Sequence, residues 1–119
     1  MSMNKIFIAS SLDNKDNVKI LMSKLINRGY EITKDWTRNI TDDYNDAVTN
    51  LEAIDNCDVF IFYLSETKSS GKMFEFGYAE ALKKPIIIFG NKKYATSIYF
   101  KLNRFDFCDN TRDLLISLY

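Results

Sequence analysis

Asp58-Val59-Phe60-Ile61-Phe62-Tyr63-Leu64 is followed by Ser65-Glu66-Thr67-Lys68-Ser69-Ser70-Gly71-Lys72. Next come Met73-Phe74-Glu75-Phe76-Gly77-Tyr78-Ala79-Glu80-Ala81-Leu82-Lys83-Lys84 and Pro85-Ile86-Ile87-Ile88-Phe89. The first block is an unbroken β-branched and aromatic run, short enough for a strand buried on both faces. The second is polar and ends near a glycine. The third has helical periodicity, and Pro85 opens another buried strand. Together they form a βαβ unit, and a right-handed crossover makes its two strands parallel.

Outward from this unit, strands and helices alternate. Lys5–Ala9 reads as a first strand, ended by Ser10 and Ser11. Asp13-Asn14 reads as the start of a helix with a capping side chain. That helix carries Val18, Leu21, Met22, Leu25 and Ile26 at helical spacing and stops at Gly29. Tyr30–Thr33 reads as a second strand, and residues 38–45 as a polar loop. Ala47, Val48, Leu51 and Ile54 mark a helix ending before Asp58. After the central unit, Gly90–Lys93 reads as a turn, Ala95–Leu102 as a short helix and Phe105–Cys108 as a fifth strand. Asn110 reads as the cap of a last helix with Leu114, Leu115 and Leu118. The expectation is one α/β domain over residues 1–119. Its fold would be a flavodoxin-like, doubly wound parallel sheet of five strands in the order 2-1-3-4-5.

Composition narrows the function. Sixteen basic and sixteen acidic residues cancel, leaving no charge footprint for a nucleic-acid polymer or an anionic membrane. No apolar run approaches the ~20 residues that span a bilayer, and the N-terminal residues lack a signal-peptide pattern. Cys57 and Cys108 have no metal or redox spacing and read as reduced thiols of a cytoplasmic protein. With no histidine, His-based triads and His-ligated zinc are excluded. No metal or cofactor is expected. Ser69-Ser70-Gly71-Lys72 shares half of a P-loop, but Glu66 and Met73 stand where that motif needs Gly and Ser/Thr. A dinucleotide-binding glycine fingerprint is absent, and so are the aspartates of a receiver domain.

In the 2-1-3-4-5 order, ligands bind beyond the carboxyl ends of strands one and three. That crevice would collect Ser10 and Ser11 on one side, and the Ser65–Gly71 loop with the start of the Glu75 helix on the other. Glu75 shares a helical face with Tyr78, Ala79 and Leu82, so it points towards buried surroundings. It complements the helix N-terminus, lies at the stripe's edge or serves the crevice. Glu80, four residues before Lys84, reads as half of an exposed ion pair. The hydroxyls of Ser10, Ser11, Ser69 and Ser70, with loop amides near Gly71, suit a sugar or a phosphate. Each serine alone is better read as a turn or cap residue, and it is their convergence with Glu75 in one crevice that points to a ligand.

The segment Ser-Ser-Gly-Lys-Met-Phe-Glu-Phe-Gly-Tyr-Ala at 69–79, followed by Lys-Lys-Pro-Ile-Ile, resembles the nucleoside 2-deoxyribosyltransferase family. This family includes 2′-deoxynucleoside 5′-phosphate N-hydrolases. Ile6–Ser10 is similar to its first strand and turn, and Asp58 fits the opening of its third strand. The similarity covers most of the chain, and residues 58–88 carry its specific part. It implies a flavodoxin-like fold, a homodimer or larger oligomer, and cleavage of N-glycosidic bonds in a small nucleoside or nucleotide. It makes Glu75 the nucleophile. Ser69 stands where the nucleotide hydrolases of the family contact a 5′-phosphate, which favours a (deoxy)nucleoside 5′-monophosphate. Asn50 occupies the position of a second family carboxylate. Asp46, one turn earlier, is the candidate to replace it, and Trp36 is a candidate to stack on the base. The competing readings are a non-catalytic nucleotide-sensing module of this fold and a TIR-like NAD glycohydrolase.

Overall fold

A computed structural model of the chain describes residues 4–38 and 43–119. Its strands are β1 (Lys5–Ala9), β2 (Glu31–Ile32), β3 (Val59–Tyr63), β4 (Ile86–Phe89) and β5 (Asp106–Cys108). They form one sheet in the order β2-β1-β3-β4-β5, and every neighbouring pair is parallel. The helices are α1 (Lys15–Asn27), α2 (Tyr44–Asn56), α3 (Ser70–Ala81) and α4 (Thr111–Leu118).

Strand parity builds two cores. Successive side chains of a strand point to opposite faces. Ile6, Ile8, Val59, Ile61, Ile87 and Phe89 therefore face α1 and α4, where Val18, Leu21, Leu25 and Leu114 meet them. Phe7, Phe60, Phe62, Ile86 and Ile88 face α2 and α3, where Ile54, Phe76 and Ala79 close the other side. Burial of both faces is why the central strands read as unbroken apolar runs.

Helix ends fix the chain's direction changes. After α1, Gly29 has φ +92°, and Tyr30 N–H reaches back to the Leu25 carbonyl. The same closure ends α3, with Lys84 N–H on the Ala79 carbonyl, but the left-handed position there is Lys83 at φ 58°. Asp58 receives the amides of Asn4 and Lys5 at 3.1 and 3.0 Å, which ties the start of β1 to β3. Asn110 caps α4 by accepting from Asp113 N–H.

Several details differ from the sequence reading. Asn14 precedes α1 but makes no side-chain cap; its amide donates to Ser10 instead, at 2.9 Å. Ile26 lies on the exposed side of α1. Ala95–Leu102 holds only a 3-10 turn, Ile98–Lys101. Part of the expected 38–45 loop, residues 39–42, lies outside the described residues, and α2 already begins at Tyr44. Glu80 pairs with Arg104 at 2.8 Å. Lys84 turns instead to the carbonyls of Asp55 and Cys57, at 2.7 and 2.9 Å, because the end of α2 presents unpaired acceptors there. The buried positions of α3 are Lys72, Phe76 and Ala79. Leu82 is exposed, so Glu75 stands on the flank of the buried stripe.

Candidate active site

Beyond the carboxyl ends of β1 and β3 lies a cleft of about 150 Å³. Ser10 and Leu12 follow β1, Lys34 and Trp36 follow β2, and Asp46 and Asn50 project from α2. Ser69, Gly71, Lys72 and Glu75 come from the start of α3. Parallel topology is the cause: every one of these segments leaves the sheet at the same end.

Glu75 is half-buried in this cleft. Asn50 Nδ2 donates to its Oε2 at 3.1 Å. Burial lifts the Glu75 carboxyl from an ordinary 4.5 to about 7, against the Asn50 hydrogen bond and the Lys34 charge, which both pull it down. A carboxylate can only accept, so Asn50 must turn its NH2 towards Glu75. Its Oδ1 is then buried without a hydrogen-bond partner among the described residues. Lys34 Nζ bonds Thr49 Oγ1 at 2.6 Å and the Asp46 carbonyl at 3.3 Å, and lies 3.5 Å from Asp46 Oδ1. Asp46 therefore shares the cleft with Glu75 and sits against an ammonium.

The two loops flanking the cleft are laced together. Ser11 is buried, sharing a 2.5 Å hydrogen bond with Ser65 Oγ and donating to Asp13 at 2.8 Å. Thr67 also donates to Asp13, and the Thr67 and Ser11 hydroxyls hold that carboxyl below its usual range. Lys72 Nζ donates to Thr67 O at 2.7 Å and Ser65 Oγ at 3.1 Å. Burial pulls the Lys72 ammonium down from its usual value, and the Asp13 charge partly opposes this.

The residues expected from the sequence divide accordingly. Glu75, Asp46, Asn50, Ser10, Trp36, Ser69 and Gly71 line the cleft together. Ser10 donates to the Tyr63 carbonyl at 2.9 Å. Trp36 donates from Nε1 to the Ile8 carbonyl at 2.5 Å, which holds the indole at the end of the sheet. Ser69 is the N-cap of α3, yet its hydroxyl makes no cap hydrogen bond. Gly71 is open: a Cβ there would meet only Ser69 Oγ, at 3.8 Å. Ser11 is not in the cleft wall, because its hydroxyl is spent on the loop lacing. Ser70 faces a neighbouring cavity of about 450 Å³, lined also by Tyr94, Ser97 and Phe100. The larger cavity lacks Glu75 and shares Ser69 and Lys72 with the cleft.

Sequence reasoning missed Lys34 and Lys72. Lys34 lies two residues beyond β2, at the same sheet end that nominated Ser10. Lys72 stands four and seven residues before Phe76 and Ala79, so the stripe containing those two residues already pointed to it. Among the described residues, no group of His, Cys, Asp and Glu could hold a metal ion, and no helix is long and apolar enough to cross a membrane. Cys57 and Cys108 are both buried and free, and burial pushes the Cys57 thiol up to about 11.

Comparison with known proteins gives two positive findings. The family model for nucleoside 2-deoxyribosyltransferase matches residues 6–115. Among solved structures, the chain is similar to the CMP N-glycosidase BcmB of Clostridium botulinum. The two are 24% identical with a TM-score of 0.66, and the match covers 97% of this chain and 99% of that one. At that identity the likeness speaks for the fold. No curated protein matches the chain.

Proposed function

The chain belongs to the nucleoside 2-deoxyribosyltransferase family, an enzyme family of N-glycosidic bond cleavage and transfer, and we propose that it acts on a nucleoside 5′-monophosphate with Glu75 as nucleophile. The observation that carries this reading is the Glu75–Asn50 pair. The Glu75 carboxylate stands in the cleft with one oxygen held by an amide donor, and Asp46 lines the same cleft.

In the first step a Glu75 oxygen forms a bond to C1′ while the C1′–N bond breaks. The bonding pair leaves with the base, which takes up a proton. Asn50 keeps the carboxylate aimed, and the transition state carries oxocarbenium character that the carboxylate charge stabilises. In the second step water, or the nitrogen of a second base, attacks C1′ and frees Glu75. Asp46, on the same wall, is the residue we assign to proton handling. Ser69 and the Gly71 amide take the 5′-phosphate, with Ser10 beside them, and Trp36 offers its indole to the base.

Two free, buried thiols support a cytoplasmic setting, and Phe74 on α3 and Leu82 at its C-cap, both exposed, support a homo-oligomer. Light scattering of the purified protein measures the latter.

The test of the chemistry is incubation with a panel of nucleosides, ribo- and deoxyribonucleoside monophosphates and NAD, with free base separated by chromatography. Base release from a monophosphate, with a mass-shifted Glu75 peptide trapped early in the reaction, is the expected result. Release from none of the panel would end the glycosidase reading.

A further inference from the structure

Lys72 is placed at odds with three ordinary preferences of a lysine. It is only 7% exposed. It sits in the first turn of α3, where the aligned peptide dipoles already present positive charge. It also has no carboxylate within ion-pair reach among the described residues, whose ion pairs are Lys34–Asp46, Arg38–Asp35 and Arg104–Glu80. A buried charge is normally paired. Asp13, whose charge is felt at Lys72, is joined to it only through intervening residues, by way of Thr67 and by way of Ser65 and Ser11.

Two of the three ammonium protons go to Ser65 Oγ and the Thr67 carbonyl, which are neutral acceptors. The Phe62 ring, 5.6 Å away, offers weak further compensation. The Lys72 side chain forms part of the wall of both the Glu75 cleft and the larger cavity beside it. Ser69 stands in the same shared wall with its hydroxyl free of the helix.

We propose that Lys72 is the counter-charge for the substrate's phosphate, held beneath the Ser65–Ser69 loop so that an anion at Ser69 completes its coordination. The assignment deepens the monophosphate reading above and rests on it. An anion there would offset each of the three liabilities at once: it pairs the charge, favours the ammonium against burial and complements the helix end. Lys72 is then a specificity-determining residue. It separates nucleotides from nucleosides, while Glu75 performs the same chemistry on both.

The test uses the full chain with Lys72→Met, which keeps length and loses charge, and Lys72→Arg, which keeps charge. Inorganic phosphate and the matching nucleoside and monophosphate pair are the probes. Phosphate should raise the melting temperature of the wild type and of Lys72→Arg but not that of Lys72→Met. The kcat/KM ratio of monophosphate to nucleoside should fall at least tenfold in Lys72→Met, mainly through the KM of the monophosphate. Without anions, Lys72→Met should be as stable as the wild type or more so, because an uncompensated buried charge has gone. Phosphate protection equal to that of the wild type, or a Lys72→Met chain that cannot fold, would make Lys72 a structural tie of the loop and overturn the assignment. Lys72-dependent phosphate binding without base release from any nucleotide would instead sink the glycosidase chemistry and leave the anion site standing.

Discussion

Asn50 on α2 donates from Nδ2 to Glu75 Oε2 on α3 across 3.1 Å, joining the two helices over the open ends of β1 and β3. The contact decides which way the carboxylate faces and lowers the cost of its charge. Burial still dominates, leaving the Glu75 carboxyl near 7.

Glu75→Gln removes the charge and keeps the shape. Turnover should fall by at least ~10³-fold, while monophosphate binding weakens by less than about tenfold, because the group acts mainly in the transition state. Glu80→Gln is the internal control. It breaks only the part-exposed pair with Arg104, worth at most ~1 kcal/mol, and should leave base release unchanged. Base release by Glu75→Gln near the wild-type rate would remove Glu75 from the mechanism.

The raised carboxyl has a pH signature. A nucleophilic carboxylate must be ionised, so kcat/KM should climb through an acid limb near pH 7. Stability should run the other way. Between 4.5 and about 7 the folded chain binds more protons at Glu75 than the unfolded one. Glu75 therefore contributes a loss of stability as pH rises through that window. Glu75→Gln should abolish this contribution, and its melting temperature should exceed the wild type's at pH 8 but not at pH 4. An equal difference at both pH values would rule out the raised carboxyl as the cause.

Asn50→Asp sets a like charge beside Glu75 in place of a donor. The acid limb of kcat/KM should move up by roughly one pH unit or more, and the rate at pH 7 should fall. The pH profile of the variant, measured on the nucleotide found with the panel, decides this. An unmoved limb would show that Asn50 and Glu75 are uncoupled during turnover.

Ser69→Asp places negative charge at the free N-cap hydroxyl. It should weaken monophosphate binding by at least tenfold and leave the matching nucleoside nearly unaffected. The helix itself should keep its stability, since Asp is as good an N-cap as Ser. Calorimetric titration of both ligands measures the difference, and equal losses would argue against a phosphate at Ser69.

Lys83→Gly tests the fold away from the site. Lys83 holds φ 58° in the closure of α3, where glycine carries no Cβ penalty. The substitution should raise stability by ~0.5–1 kcal/mol in urea denaturation without changing base release. A loss of stability would mean that the side chain of Lys83 matters more than its backbone.

The order of the five strands and the end of the sheet that bears the cleft were legible in the sequence. Both follow from local signals: apolar runs of strand length, helical periodicity between them, and glycine or proline at the junctions. A right-handed crossover then leaves little freedom of topology. Ser10, Ser69 and Glu75 were legible for the same reason, since Ser10 directly follows β1 and the other two lie in the loop and the first turns of the helix that leave the carboxyl end of β3. The pairings were not legible. Glu80 has Lys84 four residues away and takes Arg104 instead, because Lys84 is drawn to the free carbonyls at the end of α2. Asn50 meets Glu75 across 25 residues of sequence. Lys72 acquires its unpaired burial only when the loops after β1 and β3 close over it. Periodicity reports which face of an element turns inward, whereas a hydrogen bond or a charge's surroundings depend on how two elements are placed against each other. That placement is decided by packing across the whole sheet, so the identity of the cleft was local information, and its electrostatics belonged to the tertiary structure alone.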